Sequence, residues 1–217
     1  MFSMVVDIET IPTSNQVVID RLKSKVSPPA NYKSEDAIEK WWATTGEEKL
    51  LDVVRNTALN GAFGEVVAIG YAVINDNGGR EETRCLTRSK GESESKILGE
   101  FTEILRSQDG MLHKLIGHNV SWDSRFLWQR AVINGVALPA WWPKNDRDRA
   151  IFDTMREWAG WKYTISLDAL AFALLGKGKT GIGTEVFDMF DREDYASIAS
   201  YCSNDVDLTY AVYEKMR

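Results

Sequence analysis

The 217-residue chain carries a formal net charge of −6 and is 44% hydrophobic and 27% charged. That suits one soluble α/β domain, or a domain with one sizeable insertion. It argues against broad passive nucleic-acid binding, which needs a basic surface, yet leaves room for a local carboxylate site that cations neutralise. No apolar run reaches the roughly 18 residues of a membrane span. The segment Met1–Asp7 has no basic n-region and reads as a strand, not a signal peptide. Two cysteines and two histidines cannot assemble a zinc cluster or a disulfide framework, so a reducing, cytoplasmic setting is expected.

Met4 to Glu9 predicts a short buried strand, closed by Pro12. Residues 13 to 62 differ in style, with Pro28-Pro29, many charges and a helical stretch from Ser34 to Asn56; they read as a helical insertion. Glu65 to Ile74 predicts a second strand. Asn77-Gly78-Gly79 predicts a turn, and Glu81 to Thr87 a third strand paired back as a hairpin. Ser93 to Ser107 has helical spacing. Leu112 to Gly117 predicts a strand. Ser121 to Asn134 predicts a helix with Phe126, Leu127, Ala131 and Val132 inward. A loop is expected over 140 to 149, then a helix over Ser166 to Leu175 with Ser166 as N-cap. The Gly/Lys-rich stretch Gly176 to Gly183 reads as a mobile loop, and Asp191 to Asp194 as the start of a last helix running to about Met216. A three-strand meander followed by alternating helices and strands gives a mixed sheet with helices on both faces.

Asp7 and Glu9, two apart on a strand, leave the same face. Two buried carboxylates side by side resist ionisation, and a divalent cation is the natural compensation. An acid pair at a frayed strand end is the plainer alternative. Asp123 falls in the first turn of its helix, where the helix dipole alone would favour an acid; the strand end before it also aims it toward a crevice beside the first strand. Tyr201 and Asp205, four apart, share a helix face at the border of an apolar stripe. A boundary hydrogen-bonded pair would account for them equally. Asp207 is expected to face solvent.

Taken together, Val6-Asp7-Ile8-Glu9-Thr10, Val67-Ala68-Ile69-Gly70, Gly117-His118-Asn119 followed by Asp123, Ser166-Leu167-Asp168-Ala169-Leu170, and Tyr201 with Asp205 resemble the DEDD exonuclease superfamily and its tyrosine-bearing DEDDy branch. The resemblance is closest to predicted 3′–5′ exonucleases related to the proofreading domain of family-B DNA polymerases. It covers residues 1 to 12 and about 63 to 217. It implies a single RNase H-like domain over 1–217 with the insertion at 13–62. It also implies removal of mononucleotides from a 3′ end. Single-stranded DNA is the substrate expected first, and two Mg²⁺ or Mn²⁺ ions fit the all-oxygen site. By position, Asp7, Glu9, Asp123 and Asp205 would be metal ligands and Tyr201 would orient the attacking water. Thr10 and Asn119 would lie near the terminal nucleotide, and Leu167 against a base, unless it packs in the core. His118 would serve the substrate site, or act as a hydrogen-bonding scaffold.

Gly176-Lys177-Gly178-Lys179-Thr180 resembles a phosphate loop, but Ala173 stands where glycine is needed and a helix precedes it. Lys177 and Lys179 read as solvated loop residues, with contact to substrate phosphates as the alternative. Trp41-Trp42 and Trp141-Trp142 read as packing residues, and Asp153 as a helix cap or a support to the site. Two other functions compete. One is trimming of RNA by the same site. The other is a docking module that uses 13–62 to hold a polymerase, helicase or repair partner.

Overall fold

Strand β1, Phe2–Ile11, divides its side chains by parity. Phe2, Met4, Val6 and Ile8 enter the main apolar core, whereas Val5 joins a separate cluster with Ala72, Ile116 and Val206. Asp7 and Glu9 share the parity of Val5 and so leave β1 on that second side. The computed structural model describes residues 1–108, 110–145, 147–179 and 185–217. They form two compact units, one of Met1–Glu9 with Val66–Arg217 and one of Thr10–Glu65.

The Thr10–Glu65 unit is helical, as expected of the insertion. It contains α1 (Gln16–Lys23), α2 (Glu35–Trp41), a π-helical turn (Trp42–Gly46), α3 (Glu47–Arg55) and a 3-10 turn (Asn56–Leu59). Ser34 caps α2 through the amide of Ala37. Gly46 is required where it stands, because a Cβ there would lie 2.6 Å from the Trp42 ring and 2.7 Å from that of Trp41. Trp41 is buried, in keeping with a packing role.

The larger unit continues with β2 (Glu65–Ile74), β3 (Arg84–Thr87), α4 (Glu94–Ser107), β4 (Leu112–Gly117), α5 (Val120–Ile133), β5 (Ile151–Asp153), α6 (Thr154–Ala159), α7 (Leu167–Leu175), α8 (Val186–Asp191) and α9 (Tyr195–Met216). The sheet has the order β3-β2-β1-β4-β5. The pair β2/β3 is antiparallel, while β1/β4 and β4/β5 are parallel. One face carries α4 and α5, through Ile97, Leu98, Phe101, Phe126 and Leu127. The other carries α9, through Val206, Tyr210 and Tyr213. Against α9 lies α7, where Leu167, Leu170 and Ala171 meet Leu208 and Val212. This is the mixed, RNase H-like sheet expected, flanked by helices and with a helical insertion after β1.

Several expectations need correction. Val132 is 60% exposed, not inward. The buried stripe of α5 passes through Phe126, Leu127, Arg130 and Ala131, and Val132 stands one step beyond it. The third strand begins at Arg84 rather than Glu81. The last helix starts after its cap Asp194, and Asp191 instead ends α8. Of the loop expected over 176–183, residues 180–183 lie outside the described residues. Both β5 and α6 went unseen in the sequence, because three and six residues are too few to show a period.

Candidate active site

The register of β1 with β4 ends at Val5↔Ile116. Asp7 and Glu9 therefore stand beyond the last residues of β4, where parallel strands part and open a crevice at their carboxyl ends. The turn leaving β4 is tightly determined. A Cβ on Gly117 would meet Val120 at 2.6 Å and the Val6 carbonyl oxygen at 2.9 Å. Asn119 adopts a left-handed conformation, φ 62°, ψ 28°, a region that asparagine tolerates better than most residues. Its amide donates to Asp153 Oδ1 at 2.9 Å. This turn places Asp123 in the first turn of α5, buried, where its Oδ1 accepts the Ile8 amide at 3.3 Å. Asp123 is thus fixed to the strand residue between Asp7 and Glu9.

From the other side, α9 brings Tyr201, Cys202 and Asp205, all buried. Cys202 Sγ donates to the Asp7 carbonyl oxygen at 3.5 Å and lies 3.7 Å from Asp7 Oδ2. The approach depends on Gly70, whose Cβ would stand 2.8 Å from that sulfur. Cys85, the cross-strand partner of Gly70, flanks the same spot. Ligand-capable atoms of Asp7, Glu9 and Cys202 lie within 4.8 Å of one another, so the chain contains a potential metal-binding cluster.

The electrostatics of this cluster are unfavourable without a cation. Burial, then the charge of Asp205, pushes the Asp7 carboxyl up to about 7. Burial, then Asp7, raises Glu9 and Asp123 well above the usual carboxylate range. Burial also raises Asp205, opposed by Lys179. A hydrogen bond with Cys85, then burial, raises the Cys202 thiol. In the structure it acts as a donor to Asp7, beside the carboxylate oxygens of the cluster. Those oxygens fit a hard divalent cation.

The one cation reaching this group among the described residues is Lys179. Its ammonium pairs with Asp205 and donates to the Tyr201 hydroxyl at 3.1 Å. Its backbone amide is held by Asp168 Oδ1 at 2.8 Å. Burial opposes the charge on Lys179, but the bond to Asp205 more than restores it. Tyr201 is pushed up to about 12, chiefly by burial, so the phenol keeps its proton at neutral pH.

The structure therefore brings Asp7, Glu9, Asp123, Tyr201 and Asp205 to one end of the sheet. It corrects the reading of Lys179 as solvated: only the fold reveals its partner, which is 26 positions away. No local signal in the sequence marks the contact of Cys202 with Asp7. His118 is a scaffold, its Nε2–H donating to the Ile165 carbonyl at 2.8 Å and its Nδ1 3.0 Å from the Thr154 hydroxyl. Asp153 is both a cap of α6 and the acceptor of the Asn119 amide. Leu167 packs in the α7–α9 core. The Thr10 hydroxyl donates to the Ala58 carbonyl at 2.8 Å, within the helical unit. Asp207 faces solvent and pairs with Arg80.

With this geometry in place, comparison with protein families agrees. Residues 56–217 match the family described as predicted 3′–5′ exonuclease related to the exonuclease domain of PolB. The chain belongs to that family, and it is a hydrolase of the DEDD exonuclease class. No curated protein matches the chain. Among the described residues no helix is long and apolar enough to cross a membrane.

Proposed function

We propose that the protein removes nucleoside 5′-monophosphates from the 3′ end of single-stranded DNA, with Asp7, Glu9, Asp123 and Asp205 holding two Mg²⁺ or Mn²⁺ ions. The observation that carries this reading is the convergence of these carboxylates at the crevice beyond β4, where burial and their mutual charge raise them. Bound ions would supply a polarised water and neutralise charge on the leaving 3′ oxygen. Asp7, raised by the charge of Asp205 and itself raising Glu9, would hold the ions together with Glu9, Asp205 and Asp123, the last fixed by the Ile8 amide.

Tyr201 orients the water by hydrogen bonding. With its proton held to about 12, it is no base at neutral pH. Lys179, which pairs with Asp205, would be the cation at hand for the scissile phosphate once ions neutralise the carboxylates. Asn119 borders the terminal nucleotide. His118 acts there through the turn that it holds.

The test uses one strand labelled at the 5′ or the 3′ end, as DNA and as RNA, with Mg²⁺, Mn²⁺ or chelator. A metal-dependent ladder from the 5′ label, with mononucleotide from the 3′ label, is expected on DNA. Preference for RNA would reassign the substrate to RNA, and an internal first cut would refute exonuclease action.

The Thr10–Glu65 unit supports a second role. Ile19, Lys23, Trp42, Glu47, Leu50, Leu51 and Val54 line a groove of about 600 Å³, which would take an apolar segment of a replication or repair protein. Leu51→Glu in the whole chain should abolish capture of such a partner and leave hydrolysis intact. Equal capture by both proteins would remove that role. The free thiols of Cys85 and Cys202 suit a reducing compartment, the cytoplasm.

A further inference from the structure

The segment between β5 and α7 exposes aromatic rings in an unusual concentration. Trp158 is 50% exposed, and Trp161 and Tyr163 are each 64% exposed. Large exposed rings so close together mark an interaction surface more often than chance. The core clusters formed among the described residues do not include them. Each of the last two carries a cation over its face, with Arg156 5.6 Å from the Trp161 ring and Lys162 5.5 Å from that of Tyr163.

The protrusion is not a loose loop. Both of its ends are fastened to His118, through Thr154 at one end and the Ile165 carbonyl at the other. His118 immediately precedes Asn119, in the turn that carries Asp123. The rings therefore project from a segment tied to the rim of the carboxylate crevice.

Charge identifies the occupant. The chain as a whole is acidic, yet from 154 to 179 it carries Arg156, Lys162, Lys177 and Lys179 against only Glu157 and Asp168. Flat rings interleaved with cations suit a chain of unstacked bases on a phosphate backbone. Stacking on aromatic faces tolerates any base, while the cations track the phosphates. A duplex, whose base faces are already covered, gains nothing from such rings.

We infer that Trp161 and Tyr163, supported by Trp158, form a stacking platform for unpaired nucleotides upstream of the 3′ end, and that this platform sets the preference for single strands. The inference rests on the exonuclease reading above and adds a substrate-positioning surface to it.

The test compares wild-type protein with Trp161→Ala, Tyr163→Ala and the double variant. One substrate is an oligothymidylate of about twelve residues, within the usual span of a single-strand site. The other is the p-nitrophenyl ester of thymidine 5′-monophosphate, which occupies the crevice alone. The double variant should raise KM for the oligonucleotide about tenfold or more, with kcat retained and ester hydrolysis unchanged. Trp161→Phe should restore most of the loss. An unchanged KM for the oligonucleotide, beside normal ester hydrolysis, would overturn the platform and leave the crevice reading intact.

Fluorescence anisotropy of the same oligonucleotide, labelled and held in Ca²⁺, decides the matter without turnover. The double variant should bind about tenfold more weakly, with no change toward a blunt duplex. Equal single-strand affinity would refute the platform even if the protein cleaves nothing.

Discussion

Single residues in this protein are held under conflicting demands, and the conflict is sharpest at Tyr201 and Gly70. Tyr201 is buried on α9 and hydrogen-bonded to Lys179, so its hydroxyl has a defined direction rather than a role as a base. Tyr201→Phe removes the hydroxyl and keeps the ring. It should slow turnover by about 10²-fold, the lower end for a positioned catalytic group, while Mn²⁺ affinity stays at the wild-type value. Steady-state kinetics beside calorimetric titration checks this; equal turnover would take Tyr201 out of the mechanism. Gly70 makes room for Cys202 and Val206, which a Cβ would approach to 2.8 and 2.9 Å. Gly70→Ala should therefore displace α9 and destabilise the fold by about 1–3 kcal/mol, the usual cost of overpacking. Urea denaturation gives the value, and a variant as stable as wild type would show that α9 yields freely.

Elements depend on a few buried polar anchors. Glu94, the first residue of α4, accepts the Val66 amide at 2.7 Å, the guanidinium of Arg130 on α5, and the Asn134 amide at 2.7 Å. One carboxylate thus ties β2, α4 and the end of α5 together. Glu94→Ala removes the carboxylate that pairs with the buried Arg130 guanidinium and should cost about 3–5 kcal/mol. A loss below about 1 kcal/mol in urea denaturation would mean that the pair is solvated in solution.

At this scale the sequence was informative where a period could repeat. The strands Glu65–Ile74 and Leu112–Gly117 were read to the residue, and Ser166 was read as a cap. It was silent where an element is short: β5 and α6 show no period, though Asp153 and Thr154 within them hold the turn carrying Asn119 and His118. The site followed the same rule. Asp7 with Glu9, and Tyr201 with Asp205, are visible as spacings within one element. The contacts of Lys179 with Asp205 and of Cys202 with Asp7 join residues far apart in the chain, and no local pattern encodes them.

The whole molecule carries the electrostatic cost of its crevice. The carboxyl of Asp7 rises from 3.8 to about 7 in the folded chain, so over that interval the folded state binds more protons than the unfolded one. Stability from this group is therefore complete below pH 3.8 and is lost as pH rises to about 7. Glu9, Asp123 and Asp205 shift in the same direction. In chelator, Asp7→Asn should melt at a higher temperature than wild type at pH 8, with little difference at pH 4. Saturating Mg²⁺ should raise the wild-type melting temperature at pH 8, because ligands that bind only the folded chain stabilise it. Scanning calorimetry at the two pH values reads both effects, and a variant less stable than wild type at pH 8 would contradict the shift.

The most direct test of the central claim is Mn²⁺ binding followed by electron paramagnetic resonance, in wild-type protein and in Asp7→Asn, with thymidine 5′-monophosphate present. The account predicts two ions bound close enough to couple magnetically in wild type, and loss of that coupling in Asp7→Asn. Identical binding and coupling in both proteins would show that the ions sit elsewhere, and that the carboxylates of β1 are not the metal site.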